Sequence, residues 1–147
     1  MRRVLLALAA AAAILVSGCA SVPMASADAD KQAKSYATSP TKANLYIYRN
    51  ESMGGAIRMT VSVNNKVLGQ SGPKTYFLVQ VDPGKHEISS LTENTSTLVV
   101  DAQAGRNYFI WQEVKMGVWS ARSQLQLVDE ATGRKGVDEC TRAQGSM

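Results

Sequence analysis

The chain is poor in the residues from which catalytic and metal sites are built. It has one histidine, His86, and two cysteines, Cys19 and Cys140. A single histidine excludes the Cys₂His₂ and multi-histidine patterns that hold structural or catalytic zinc. No Ser or Cys nucleophile motif frames His86, so no catalytic residue is assigned. A membrane-spanning run is also missing: Val4 to Val16 is the main apolar stretch, shorter than the roughly 20 residues a helix needs to cross a bilayer. Charge of one sign is nowhere concentrated. Lysines and arginines stand singly among Asp and Glu, and the basic patch or stripe of a nucleic-acid surface is absent.

What is there begins at the N-terminus. Arg2 and Arg3 form a short positive region, Val4 to Val16 an Ala- and Leu-rich apolar region, and Ser17 and Gly18 precede Cys19. This is the layout of a secretory signal peptide over residues 1–18. Val16-Ser17-Gly18-Cys19 resembles the lipobox of bacterial lipoproteins, an apolar residue and two small ones before Cys. The resemblance implies signal-peptidase recognition through Val16, Ser17 and Gly18 and cleavage before Cys19. It also implies a diacylglyceryl thioether on Cys19 with an acyl group on the new amino terminus. The bland alternative is an ordinary cleaved signal with an incidental Cys. Each buried CH₂ of an acyl chain contributes roughly 0.8 kcal/mol, so two or three chains hold a protein on a membrane durably. Ala20 is not Asp, which by the same resemblance implies the outer membrane, with the body in the periplasm. Without Arg2 and Arg3, the 16 basic residues fall to 14 against 12 acidic ones, so the pI of 9.2 overstates the basicity of the exported chain.

Residues 19–42 read as the lipidated N-terminus and a flexible tether, rich in Ala, Ser, Asp, Lys and Thr with little to bury. As a random coil it would span about 25–30 Å. A short helix near Ala27 to Tyr36 lacks a consistent apolar stripe. With Cys19 acylated, Cys140 has no intramolecular partner; it is an intermolecular cross-link, a reactive thiol, or a small apolar residue tucked against the domain, the last being favoured.

From Ala43 the composition turns to β-formers. Both faces of Ala43 to Arg49 are largely apolar, as in a strand covered on both sides, with Tyr46 and Tyr48 lying between sheet and helix. Ile57, Met59, Val61 and Val63 alternate with polar residues, and Asn64-Asn65 suits a tight hairpin turn. Tyr76 to Val81, His86 to Leu91, Thr97 to Ala102, Asn107 to Val114 and Ala121 to Val128 follow, separated by Asp82-Pro83-Gly84-Lys85 and similar turns. The pattern predicts an antiparallel β-sandwich or partly open barrel of about seven short strands over 43–142. Asp129 to Arg142 reads as a short C-terminal helix packed on it, although Gly133 and Gly136 each cost roughly 1 kcal/mol of helix propensity. Residues 143–147 are expected to fray.

The order Ala43-Asn44-Leu45-Tyr46-Ile47-Tyr48-Arg49, Pro83-Gly84-Lys85-His86, Gly105-Arg106-Asn107-Tyr108-Phe109 and Glu130-Ala131-Thr132-Gly133-Arg134 to Cys140 resembles the DUF2846 group of bacterial lipoproteins. The resemblance bears on fold and envelope location and supplies no catalytic residue. His86 reads as a strand-start residue hydrogen-bonded near its turn. Glu113 with Asp101 or Glu87 is the candidate carboxylate pair, set against three solvated acids on strands. Trp111 is read as core, whereas Trp119, in a turn, is with His86 the candidate contact surface. Two functions follow. One is a lipid-anchored, non-catalytic envelope module that binds an envelope protein, peptide or glycan through an edge strand or the Trp119 loop. The other is a periplasmic hydrolase or redox enzyme using His86 or Cys140. No metal and no cofactor beyond the covalent lipid is expected.

Overall fold

Seven consecutive buried residues, Ala43–Arg49, form the strand around which the rest is layered. The computed structural model describes residues 21–147, so Cys19 and the residues before it lie outside the described part. In chain order the elements are α1 (Ala27–Ala33), β1 (Ala43–Arg49), β2 (Met59–Val63), β3 (Lys66–Ser71), β4 (Thr75–Val81), β5 (Gly84–Leu91), β6 (Thr95–Ala102), β7 (Asn107–Met116), β8 (Ala121–Val128), α2 (Glu130–Asp138) and β9 (Thr141–Arg142). They make a β-sandwich of a five-stranded sheet, β8-β7-β1-β4-β9, over a four-stranded one, β3-β2-β5-β6.

Alternation along β1 sends its residues to two different cores. Ala43, Leu45 and Ile47 pack between the sheets with Val61, Val63, Phe77, Val79, Ile88, Val100, Ile110 and Leu125. Tyr46 and Tyr48 face the other way, under the helices, with Tyr36, Tyr76, Phe109, Val137 and Cys140. The two tyrosines therefore lie between sheet and helix, as the sequence pattern suggested. Asn64 and Asn65 both adopt positive φ, 51° and 64°, in the tight turn between β2 and β3.

Three expectations need correction. The first concerns strand direction. Within the five-stranded sheet β1 pairs parallel with β7, and β4 parallel with β9, so that sheet is mixed rather than antiparallel. The chain crosses from the four-stranded sheet after β6 and returns beside β1, a step that alternation alone does not encode.

The second is the tether. From Val22 the chain is docked on the body. Ser26 caps α1 by accepting from the Ala29 amide, and Ala33 and Tyr36 are buried. The Tyr36 hydroxyl donates to Asp138 at 2.7 Å, and the guanidinium of Arg134 lies 4.6 Å from the Tyr36 ring centre. One aromatic anchor, Tyr36, held at its hydroxyl and at its ring, and a cap replace the apolar stripe that α1 lacks.

The third is the tail. The Ala143 amide donates to Tyr76 O, Gln144 to Pro23 O and Ser146 to Leu68 O, at 2.8–2.9 Å. Backbone hydrogen bonds, the buried Ala143 side chain and the Ser146 hydroxyl on Val67 O hold this segment across the open side of the sandwich.

Helix α2 is capped by Asp129, whose carboxylate accepts from the Thr132 amide at 2.8 Å. Its glycines have a packing role. A Cβ on Gly133 would lie 2.2 Å from Phe109, and one on Gly136 2.2 Å from the Tyr48 ring. Their absent side chains let α2 press onto the aromatic layer.

Candidate functional site

Antiparallel strands joined by a short loop leave their turn at the sheet's end, and the β7–β8 turn stands out there. Met116, Val118 and Trp119 are 80, 76 and 92% exposed. Three large apolar side chains on one short loop are a concentration that a lone surface hydrophobe is not. The loop is nevertheless held. Glu93, between β5 and β6, accepts hydrogen bonds from the Val118, Trp119 and Ser120 amides at 3.2, 3.2 and 2.9 Å. The Ser120 amide, with those of Trp119 and Val118, holds the Glu93 carboxyl below its ordinary range. Gly117 is required for the approach, since a Cβ there would meet Ser120 O at 1.9 Å and Glu93 Oε2 at 2.2 Å.

The ground beneath the loop is also fixed. Arg49 is fully buried, and its guanidinium donates to the carbonyls of Ile57, Gly54 and Ser71. That tethers the β1–β2 connection, whose Gly54 sits against Ala121 and Val114 at the base of the tip. Below it a buried polar chain joins the sheets: Ser71 donates to Gln112, Gln112 to Ser90, and Ser90 meets Ser123, each at 2.6 Å. The result is a projection whose exposed side chains are apolar and whose amides are held by the Glu93 carboxylate.

The other expected site residues are not gathered there. His86 lies at the opposite end, its Nδ1 2.8 Å from Asn64 Nδ2 and its Nε2 2.6 Å from the Asp82 carbonyl. The Asn64 amide at Nδ1 and the Asp82 carbonyl at Nε2 leave both ring nitrogens engaged. Cys140 is 3% exposed, its Sγ 3.5 Å from Arg49 O, and burial pushes its thiol up to about 12. A thiol held protonated is a poor nucleophile. Glu113 lies in the five-stranded sheet, bonded to Gln126 and 3.0 Å from Lys115. Glu87 and Asp101 lie exposed on strands of the other sheet, so the three acids do not converge. Trp111 is half-buried beside α2, and its Nε1 has no partner.

One feature escaped the sequence reading. A polar cavity of about 490 Å³ opens between α1, the strap after it and the edge of the five-stranded sheet, lined in part by Gln32, Ser35, Asn44, Gln80 and Arg142. It exists only because residues 27–42 are docked. Among the described residues no cluster of His, Cys, Asp or Glu is arranged to hold a metal ion, and no helix is long and apolar enough to cross a membrane.

Comparison with known proteins places residues 39–124 in a match to the family described as "Protein of unknown function (DUF2846)". The chain is also similar to an uncharacterized protein of Haemophilus influenzae, 37% identical over 134 residues, covering 89% of this chain and 79% of that protein. No solved structure matches.

Proposed function

This chain belongs to the DUF2846 family, and from that premise we propose that it is a lipid-anchored, non-catalytic binding module of the cell envelope. It is held through Cys19 on the periplasmic face of the outer membrane and engages an envelope protein, peptide or glycan through the Met116–Trp119 tip. The observation that carries this reading is the tip itself: 92% of Trp119 is exposed on a loop whose amides are already bonded to Glu93. An aromatic presented in advance loses little conformational freedom on binding, so more of its burial appears as affinity. Tryptophan is the residue most often found to dominate an interface, and truncating one such anchor typically costs about 2 kcal/mol or more, roughly thirtyfold in Kd. The engaged ring nitrogens of His86 and the buried, protonated Cys140 speak against the enzymatic alternative.

The test is site-directed photo-cross-linking in intact cells, with a photoreactive amino acid at position 119 and, as control, at position 66. The expected result is a discrete adduct from position 119 alone, abolished when Met116 and Val118 are both changed to Ser. Equal labelling from both positions, or none from 119, refutes the reading.

A further inference from the structure

Strand directions define two ends of the sandwich. β4 runs from Thr75 to Val81, β1 runs against it, and β7 runs with β1. The Trp119 loop, following β7, is therefore at the Thr75 end. The turns Asn64-Asn65, Asp82-Pro83 and Gln103 to Arg106 are at the Val81 end. The first described residues can be placed on the same axis. Ala25 N donates to Arg142 O and Gln144 N to Pro23 O, with Met24 opposite Ala143, so this segment runs antiparallel to the chain leaving β9. β9 itself runs parallel to β4. Followed backward from Ala25 to Ser21, the backbone thus heads for the Val81 end, and Val22 is packed into the main core on the way.

Only Ala20 separates Ser21 from Cys19, and two residues of chain reach at most about 7 Å. Resting on the assignment of Cys19 as the acylated residue, we propose that the Val81 end is a membrane-facing surface. The domain stands against the lipid headgroups by that end and holds the Trp119 tip at the far end. Three cations on this surface are placed to meet phospholipid phosphates. Lys66, Lys85 and Arg106 are exposed there, at or beside the starts of β3, β5 and β7, and none is in an ion pair among the described residues. Of the acids at this end, Asp82 is bonded to Lys42 and Glu130 to Arg134, Asp129 is taken up in the cap of α2, Asp101 lies opposite Lys85 on the neighbouring strand, and Glu87 is exposed beside the Asn64-Asn65 turn. Cations near an anionic leaflet are drawn to it within a Debye length. The ten residues of β7 span roughly 33 Å at strand rise, so the tip is carried about that far from the headgroups. Its apolar side chains then meet something beyond the anchoring membrane rather than the membrane itself.

The test places single nitroxide labels at Lys66→Cys, Arg106→Cys and Trp119→Cys in the full chain. Buried Cys140 stays unlabelled under native conditions. The exported protein is reconstituted in vesicles containing phosphatidylglycerol, and collision of each label with a water-soluble nickel chelate is compared with that in detergent. Intact mass establishes acylation of Cys19 beforehand. The expected result is a several-fold loss of collision at positions 66 and 106 and none at 119. An acylated chain with the label at 119 shielded, or with all three equally exposed, overturns the orientation alone. A chain without acyl mass on Cys19 overturns the anchor and the orientation with it.

Discussion

Gly136→Ala separates two physical arguments that give opposite signs. Helix propensity says that replacing a helical glycine with alanine stabilises by about 1 kcal/mol. Packing says the reverse: the added methyl would lie 2.2 Å from Cε2 and 2.6 Å from Cζ of Tyr48. A contact at that distance must open by more than 1 Å, and Tyr48, 3% exposed beneath α2, has no free volume into which to swing. Overpacking of this kind costs typically 1–3 kcal/mol, at the high end where backbone has to move. Set against the propensity gain, we expect a net loss of about 2 kcal/mol, a fall in Tm of roughly 6–10 °C for a domain of this size. Urea unfolding followed by circular dichroism measures it, with Lys135→Ala on the exposed face of α2 as the control expected to be near zero. If Gly136→Ala is as stable as the parent or more so, α2 is not seated on the aromatic layer as described.

The remaining predictions follow from the tip, the buried thiol and the polar chain. Because Glu93 titrates below its ordinary range, its hold on the loop is complete above the normal glutamate range and is lost as pH falls through the depressed value. Trp119 emission anisotropy in a Trp111→Phe background should fall over that acid window, and Glu93→Gln should lower it already at neutral pH. Anisotropy unaffected by either change would refute the clamp. Cys140, buried with its thiol pushed up to about 12, should resist an aromatic disulfide reagent at pH 8 until the protein is unfolded; rapid native labelling would contradict its placement. Gln112→Leu should cost about 1–3 kcal/mol by removing the main partner of the buried Ser71 hydroxyl and one of the two partners of Ser90, and adding Ser71→Ala should recover part of that loss, whereas Ser90→Ala, which leaves Ser123 unpartnered, should not. Strict additivity in urea unfolding would show that the chain is not a unit.

How far the residues disclose this structure depends on where the decisive contact lies. β1 and the Asn64-Asn65 turn are local, set by alternation and positive φ, and each was readable, whereas Asp129, counted within the helix, proves to be its cap. Exposure of Trp119 was readable too, since a turn residue has few ways to be buried. Docking of residues 22–42 was not. Its contacts join Tyr36 to Asp138 and Lys34 to the Cys140 carbonyl, more than a hundred residues apart, and composition alone looks like a tether. Gly133 and Gly136 read as weak helix positions for the same reason, their meaning residing in Phe109 and Tyr48. The Glu93 clamp had no signal beyond an acid in a loop, because its three donors are backbone amides 25–27 residues away.

The edges of the sheets bear on which of the two expected contact modes this fold supports. An exposed strand edge invites pairing by an added strand, and proteins protect edges that are not meant for it. Along β8, the outer edge of the five-stranded sheet, Asn94 takes up both the amide and the carbonyl of Ser123, and Ser96 accepts from the Leu125 amide. Those side chains come from the end of the other sheet and occupy positions that an incoming strand would need. On the far side, the Met24 segment lies against the chain beyond β9, and Ser146 bonds the Leu68 and Val67 carbonyls of β3. Both ends of the described chain are spent on covering edges. Strand addition along these covered stretches would first have to displace hydrogen bonds already made, whereas the Met116–Trp119 tip has its amides satisfied and its side chains free. Binding through the loop therefore requires the smaller rearrangement. Ser96→Ala with Asn94→Ala supplies the contrast: uncovering β8 should promote concentration-dependent self-association by sedimentation velocity, while Trp119→Ala should not. Unchanged association in the first variant would mean that these side chains do not guard the edge.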